Sequence, residues 1–194
     1  MIFINSCSSH ASDIESSIQV ISENNTLGNL IVVGVSENSG QSVLSVSDET
    51  GNTYTNTGAT SDNKAGPKCE VWYAVNTKDS KSNLITVTYD NPTSRRSILV
   101  LEFMGNSLTP FVGSKIISDL SAIISSNINV SKADSLVIAM ITGDDKSLNP
   151  VGLTQNERMM NTSIQSGIGQ IGIFDFSISL KSLTEWAGNL LIFN

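Results

Sequence analysis

Residues 30–37 read LIVVGVSE and begin a run of five β-prone segments that decides the fold. The other four read VLSVSDETGNTYT (43–55), CEVWYAVN (69–76), LITVTYD (84–90) and SILVLEFMG (97–105). Turns rich in Gly, Asn, Asp, Ser and Pro separate the segments, at the spacing typical of an all-β sandwich. The run therefore predicts an antiparallel β-sandwich.

The apolar pattern within the segments indicates how each strand is buried. Ile85, Val87 and Tyr89 alternate with threonines, which predicts a strand with one wet face. The stretches at 30–35 and 97–103 are apolar on both sides apart from one glutamate, which predicts central strands. These two stretches should therefore lie in the interior of the sandwich.

The second segment predicts a hairpin. Leu44 and Val46 are expected to point into the core while the serines beside them face solvent. Asp48–Asn52 then forms the connection, because Gly51 accepts positive φ and the flanking polar side chains bond the turn backbone.

Beyond residue 105 the pattern is weaker. Residues 135–142 (SLVIAMIT), 171–178 (IGIFDFSI) and 189–194 (NLLIFN) predict further strands. Apolar residues at 116–124 match helical spacing, but the serines among them are poor helix formers. We expect a strand or irregular structure there, with a helix as the alternative. Gly143–Gln170 is expected to be long and mostly structureless.

The chain is predicted to be one domain over residues 1–194, because its composition does not break. The segments add up to about nine to eleven strands. No strand–helix–strand alternation appears, which excludes a doubly wound sheet.

The charge balance disfavours nucleic acid and anionic membrane surfaces as partners. The chain carries 11 Lys and Arg against 18 Asp and Glu, for a net charge of −7. Nucleic-acid binding needs clustered cations, and the only adjacent pair is Arg95-Arg96, read as a solvated turn or a salt-bridge donor. No Sec signal and no apolar run long enough to span a bilayer is visible.

Few residues offer metal or nucleophilic chemistry. Cys7 and Cys69 are the only cysteines and are read as buried thiols, although a disulfide between them stays open. A metal site would need both of them together with His10, which is a weak pattern. His10 is the only histidine and is expected in a surface loop, so Ser-His-Asp and Cys-His catalysis are disfavoured.

Carboxylates are the remaining catalytic candidates. They are Asp48 with Glu49, Asp144 with Asp145, Asp90, and Glu102. The aspartates fall where turns need them. Glu102 is expected to be half-buried, with Arg95, Arg96 or a backbone donor as its partner. We therefore assign structural roles to all of them.

Two ligand classes stay open at this stage. Asp48, Asn52 and Asp62, or Asp144 and Asp145, offer oxygens for calcium, but no ligand register is recognisable and no cofactor is expected. Sugar binding would use an exposed ring among Trp72, Tyr73, Tyr54 and Trp186, and core packing is the competing interpretation. Because neighbours on a strand point to opposite faces, at most one of Trp72 and Tyr73 is in the core if one sheet face is solvated.

Most of the chain resembles a jelly-roll-like β-sandwich module of bacterial surface proteins and phage virion proteins. The resemblance lies in GNLIVVGVS (28–36), SVSDETGNTYT (45–55), VWYAVN (71–76), ITVTY (85–89), ILVLEFMG (98–105), KADSLVIA (132–139) and WAGNLLIF (186–193). These are scaffold segments, and no catalytic motif comes with them. Bacterial members sit within longer secreted chains, whereas this chain begins at Met1 without a signal, so the resemblance favours a virion part.

The sequence thus predicts a protein that is not an enzyme. The expected role is structural: a phage decoration or head- or tail-associated protein of the virion, bound to capsid or tail proteins and self-associating, with a trimer as the candidate state. The alternative is an extracellular carbohydrate-binding or adhesin module that recognises a glycan. In either case binding is expected in Gly58–Lys68, Asn76–Asn83 and above all Gly143–Gln170.

Overall fold

The computed structural model describes residues 1–62, 67–105, 109–143, 149–151, 154–159 and 162–194. These residues form antiparallel strands and no helix, which confirms the all-β prediction. There are fourteen strands in this part of the chain, more than the nine to eleven expected. In chain order they are β1 (Ile2–Ala11), β2 (Glu15–Asn25), β3 (Leu30–Glu37), β4 (Val43–Asp48), β5 (Thr55–Asp62), β6 (Lys68–Ala74), β7 (Ser80–Thr93), β8 (Arg96–Met104), β9 (Phe111–Val130), β10 (Ser135–Gly143), β11 (Asn149–Val151), β12 (Thr154–Met159), β13 (Thr162–Gly169) and β14 (Gly172–Phe193).

The strands assemble into three sheets. Sheet I has the order β1-β8-β3-β6-β5, and sheet II has the order β2-β7-β4. Sheet III has the order β11-β14-β10-β13-β12, with β9 paired along β14. The first two sheets use the first half of the chain, and sheet III uses the second half.

Sheet I lies between the other two sheets and is covered on both faces. Cluster 1 joins it to sheet III and includes Leu30, Leu101, Ile138 and Phe193. Cluster 2 joins it to sheet II. From sheet I it takes the side chains that point to the opposite face of β3 and β8, namely Ile31, Val33, Val35, Ile98 and Val100, and from sheet II it includes Val87. As expected for central strands, β3 is buried throughout and β8 is buried except at its last residue. The stacked sheets are consistent with a β-sandwich.

Sheet III folds over itself through the long β9–β14 ribbon. The pairing register jumps between Ser179↔Ile123 and Thr184↔Ser121, so four residues of β14 stand against one of β9. Such an excess bends a ribbon sharply. The bend lets Phe176 and Ile178 of β14 pack on Val137 and Ile141 of β10, forming cluster 3.

The residues at 116–124 belong to a strand, so the strand prediction was right and the helical alternative was wrong. β9 pairs with β14 on one side, and none of its serines is buried. The serines that weaken a helix are well tolerated on a strand with one exposed face.

Two sequence predictions are corrected. Leu44 does not point inward, because a register shift between Val43 and Ser45 turns it outward and places Val43 in the core instead, whereas Val46 points inward as predicted. The supposed loop at 143–170 contains β11, β12 and β13, with Ile164 anchored in cluster 1. These strands are short and polar, so hydrophobic periodicity does not indicate them. In the described part of the chain, no helix is long and apolar enough to cross a bilayer.

Candidate functional site

The carboxylate of Asp48 is hydrogen-bonded by residues of its own turn and by neighbouring side chains. Its two carboxylate oxygens accept hydrogen bonds from Thr50, from the backbone and side chain of Asn52, from Tyr54 and from Asn83, at 2.8 to 3.0 Å. Burial alone would raise the pKa of Asp48, but these bonds outweigh it and hold the pKa below its ordinary value. The carboxylate therefore closes the β4–β5 connection, and its oxygens are already engaged where a calcium ion would need them.

Glu102 is fully buried in β8, not half-buried as the sequence suggested, and neither arginine contacts it. Its partners are the side-chain amide of Asn29 at 2.7 Å, the backbone N–H of Thr26 at 2.8 Å and the amide of Asn25 at 3.1 Å. Asn5 adds a longer bond at 3.5 Å. Of the three partners predicted for Glu102, only the backbone donor was right. Glu102 holds the β2–β3 turn against sheet I, which is a structural role.

The four aromatic side chains proposed for sugar stacking all pack against apolar clusters. Trp72 contacts cluster 2 and Tyr73 contacts cluster 1, which is possible for both because neither face of sheet I is solvated. Tyr54 packs on cluster 2, and its burial beside Asp48 raises the pKa of its phenol. Trp186 is buried in cluster 3 and donates a hydrogen bond to Ser121 Oγ at 3.0 Å. None of these rings is a free platform.

The cysteine and histidine candidates do not come together. Cys7 packs against cluster 2 and Cys69 lies in cluster 1, on opposite faces of sheet I, and they form no disulfide with each other. His10 lies on β1, not in a loop, and its Nδ1 is 3.0 Å from Ser97 Oγ. Across the described residues no three His, Cys, Asp or Glu side chains are placed to hold a metal ion. Asp144 and Asp145 lie outside those residues.

Four buried charged side chains lie together between sheets I and II, and the sequence analysis did not predict them. They are Glu37, Lys68, Glu70 and Arg96. The ammonium of Lys68 is 3.5 Å from Glu70 and bonds Ser42 at 2.8 Å. Arg96 donates to the backbone oxygen of Thr93 and forms an ion pair with Asp13. A solvated turn was thus the wrong interpretation for Arg96, although a salt-bridge donor was right.

Within this group Glu37 is the most perturbed carboxylate. Burial raises its pKa, while a hydrogen bond from the Thr93 hydroxyl at 2.8 Å and another from the Ser39 backbone at 2.6 Å oppose that rise. Thr93 contacts both Glu37 and Arg96 through different atoms and so joins these two residues, while the charge of Lys68 acts on Glu37 electrostatically. The alternation of the strands is the signal that could have found the group, because residues 37, 68, 70 and 96 share parity with the neighbouring cluster 2 residues.

Two surface features of the described residues are candidates for binding. The first is an exposed apolar edge at the start of β1, formed by Ile2, Phe3 and Ile4 and paired across to Met104. The second is a pair of adjoining grooves along the folded strand β9, of about 540 and 390 Å³, which share Ser125. Neither was singled out from the sequence as a binding site.

Comparison of the chain with protein-family models gave no match, and comparison with curated protein sequences gave none either.

Proposed function

We propose that this protein is a non-catalytic structural protein of a virus particle, a phage decoration or head- or tail-associated protein that self-associates and contacts capsid or tail proteins. The observation that carries the proposal is the apolar edge of β1. Ile2, Phe3 and Ile4 are 60%, 41% and 39% exposed, and Met104 beside them is 45% exposed. In sheet I, β1 is the terminal strand. Exposed apolar side chains at the start of an edge strand form a surface that favours pairing with another chain.

The hydrogen bonds made by the polar candidate residues support a non-catalytic role. Asp48 and Glu102 are occupied by turn and loop donors, and His10 pairs with a serine within sheet I. A catalytic group must come within hydrogen-bond reach of the reacting atoms of a bound substrate. These three side chains instead stabilise the scaffold.

The strand order supports a jelly roll for β1–β8. An eight-stranded jelly roll built from two Greek keys places strands 1, 8, 3 and 6 in one sheet and 2, 7, 4 and 5 in the other. Sheet I follows the first order and sheet II follows 2-7-4, while β5 joins the edge of sheet I beside β6. We infer that β1–β8 form this fold with a displaced fifth strand, and that β9–β14 extend it within a single domain. Viral capsid domains use the jelly roll, and this is support by analogy.

Oligomeric state tests the proposal. We expect sedimentation and light scattering to show a closed oligomer, with a trimer as the leading expectation, and the double variant Ile2→Asp/Ile4→Asp to be monomeric. Ile14→Asp is the matched control, because Ile14 is 72% exposed but lies in the β1–β2 turn. A wild-type chain that stays monomeric at every concentration would contradict self-association.

Location in the particle needs a separate experiment. Antibody raised against the folded chain should label purified particles from cultures that express the gene, and the labelling should be lost after its deletion. Particles that carry no label, together with labelling confined to the cell surface, would contradict the virion role and favour a cell-surface module.

A further inference from the structure

We propose that the groove along the folded strand β9 binds a neutral oligosaccharide. The proposal does not depend on the particle role above, and it assigns a ligand to a surface that the structural role leaves unused. It also moves the expected binding surface away from Gly143–Gln170, because the groove is lined by β9 and by residues of β14 after position 172.

The groove is formed by the bend in the ribbon. Where β9 turns back, Lys115 from its first half reaches Asn127 in its second half, and the ammonium donates to the backbone oxygen at 3.1 Å and to Oδ1 at 3.3 Å. This contact ties the two arms of the strand together across the opening. The space between the arms is therefore a defined groove, closed at its base by cluster 3.

The lining has the chemistry of a polyol site. It presents hydroxyl, amide and carboxylate groups from both arms and from β14: Ser118, Asp119, Ser125, Ser126, Asn127 and Asp175. Paired hydroxyls of a sugar both donate and accept hydrogen bonds, and such side chains can satisfy both roles. Ile116 and Ile123, which are 52% and 60% exposed, offer apolar contact for the C–H faces of a sugar ring.

The charges of the lining favour a neutral ligand. The linings of the two grooves contain one cation, Lys115, and two carboxylates, Asp119 and Asp175, and the ammonium of Lys115 is already bonded to Asn127. Phosphate, sulfate and nucleic-acid ligands would meet net negative charge. The two grooves adjoin at Ser125 and are within the size range of small-molecule sites, so several sugar units of one chain fit better than a single unit.

The test uses oligosaccharides of glucose, mannose, xylose and N-acetylglucosamine, with heparin fragments as the anionic comparison. We expect amide resonances of residues 115–127 and 175–177 to shift on titration with at least one neutral series and not with heparin. Because the groove is open and has no exposed aromatic ring among its described lining residues, we expect weak binding that is specific for the neutral series.

Two variants locate the site. Asp175→Ala removes a hydrogen-bonding group and should weaken binding about tenfold, and Ser125→Trp should block both grooves. Asp79→Ala, which removes an exposed aspartate in the β6–β7 turn, is the control and should leave binding unchanged. Absence of shifts with every neutral series, preference for heparin, or shifts that persist in Ser125→Trp would overturn the proposal. None of these results bears on self-association through β1.

Discussion

The side-chain amide of Asn29 donates a 2.7 Å hydrogen bond to Glu102 Oε1, which fastens the β2–β3 turn to the buried strand β8. The same carboxylate also accepts from Thr26 and Asn25. Among the described residues, the partners of this buried carboxyl group are amide donors and not cations. Because a buried carboxylate needs such compensation, all its donors act as one unit.

Glu102→Gln should destabilise the protein although it changes little in shape. The new amide group would point a donor at existing donors, so at least one strong bond is lost and one donor is left unsatisfied. We expect a loss of about 2 to 4 kcal/mol in the free energy of unfolding, measured by urea denaturation. Glu23→Gln, on the exposed face of β2, is the control and should have a small effect. Equal stabilities for the two variants would contradict the structural role.

Asp48→Asn should show a pH-dependent loss of stability. The pKa of Asp48 is lowered in the folded protein, so its contribution is present above the ordinary carboxyl pKa and is lost as the pH falls through the lowered value. The difference in unfolding free energy between wild type and variant, about 2 kcal/mol at neutral pH, should therefore narrow below about pH 4. Chemical denaturation at a series of pH values measures this. A gap that is constant with pH would argue against the assignment, and Glu49→Gln serves as the neighbouring control.

Glu37→Gln should show the opposite pH signature. Burial raises the pKa of Glu37, so its favourable contribution is present at low pH and is lost as the pH rises through the raised value. The variant should gain stability relative to wild type over that rise, because the amide oxygen can still accept from Thr93 and Ser39 without a buried charge. Thermal melts across the acidic to neutral range provide the measurement. A variant that loses stability relative to wild type as the pH rises would refute this interpretation of Glu37.

Arg96→Ala and Arg95→Ala should differ sharply although the residues are adjacent. Arg96 is completely buried and bonds Thr93 and Asp13, whereas Arg95 is exposed in the turn with φ of 53°. Loss of Arg96 should cost about 2 to 4 kcal/mol, through lost packing and an unsatisfied Thr93 oxygen. Asp13→Asn should cost much less, because the Asp13 side chain is exposed and solvent screens the pair. Unfolding free energies for the three variants test the order.

Gly188→Ala tests how closely β14 packs in sheet III. A Cβ atom there would lie 2.9 Å from the backbone oxygen of Met140 and would also collide with Ile141. A backbone oxygen cannot move away from the new Cβ as a side chain could. We therefore expect a loss of about 1 to 3 kcal/mol in the free energy of unfolding. Gly113→Ala in β9 is the matched control, since its Cβ would meet nothing within 4 Å. Similar melting temperatures for both variants would contradict the close approach.

The sequence predicted the elements whose burial follows a simple period. Ile85, Val87 and Tyr89 of β7 face the core as their alternation indicated. Leu44 breaks the rule, because a register shift is a property of the strand pair and leaves no mark on the alternation. The polar strands β12 and β13 are held by their pairing with each other and with β10, which a single sequence does not reveal.

The candidate sites were less predictable than the fold. Glu102 meets amides that are 73 and 77 positions away in the chain, so local sequence gives no hint of them. The groove depends on the bend that brings Lys115 to Asn127, and that bend follows from the pairing of β9 with β14. Trp72 and Tyr73 stayed sugar-binding candidates because a single sequence does not reveal that both faces of sheet I are covered.

Cluster 1 has a consequence for biosynthesis. It contains Leu30 from the third strand together with Leu191 and Phe193 from the last one. A growing chain therefore leaves one face of sheet I incompletely covered until β14 has been made, and folding with so many distant contacts is slow. The nascent protein should consequently depend on chaperones during synthesis, and removal of Leu191–Phe193 from β14 should cause aggregation of the product.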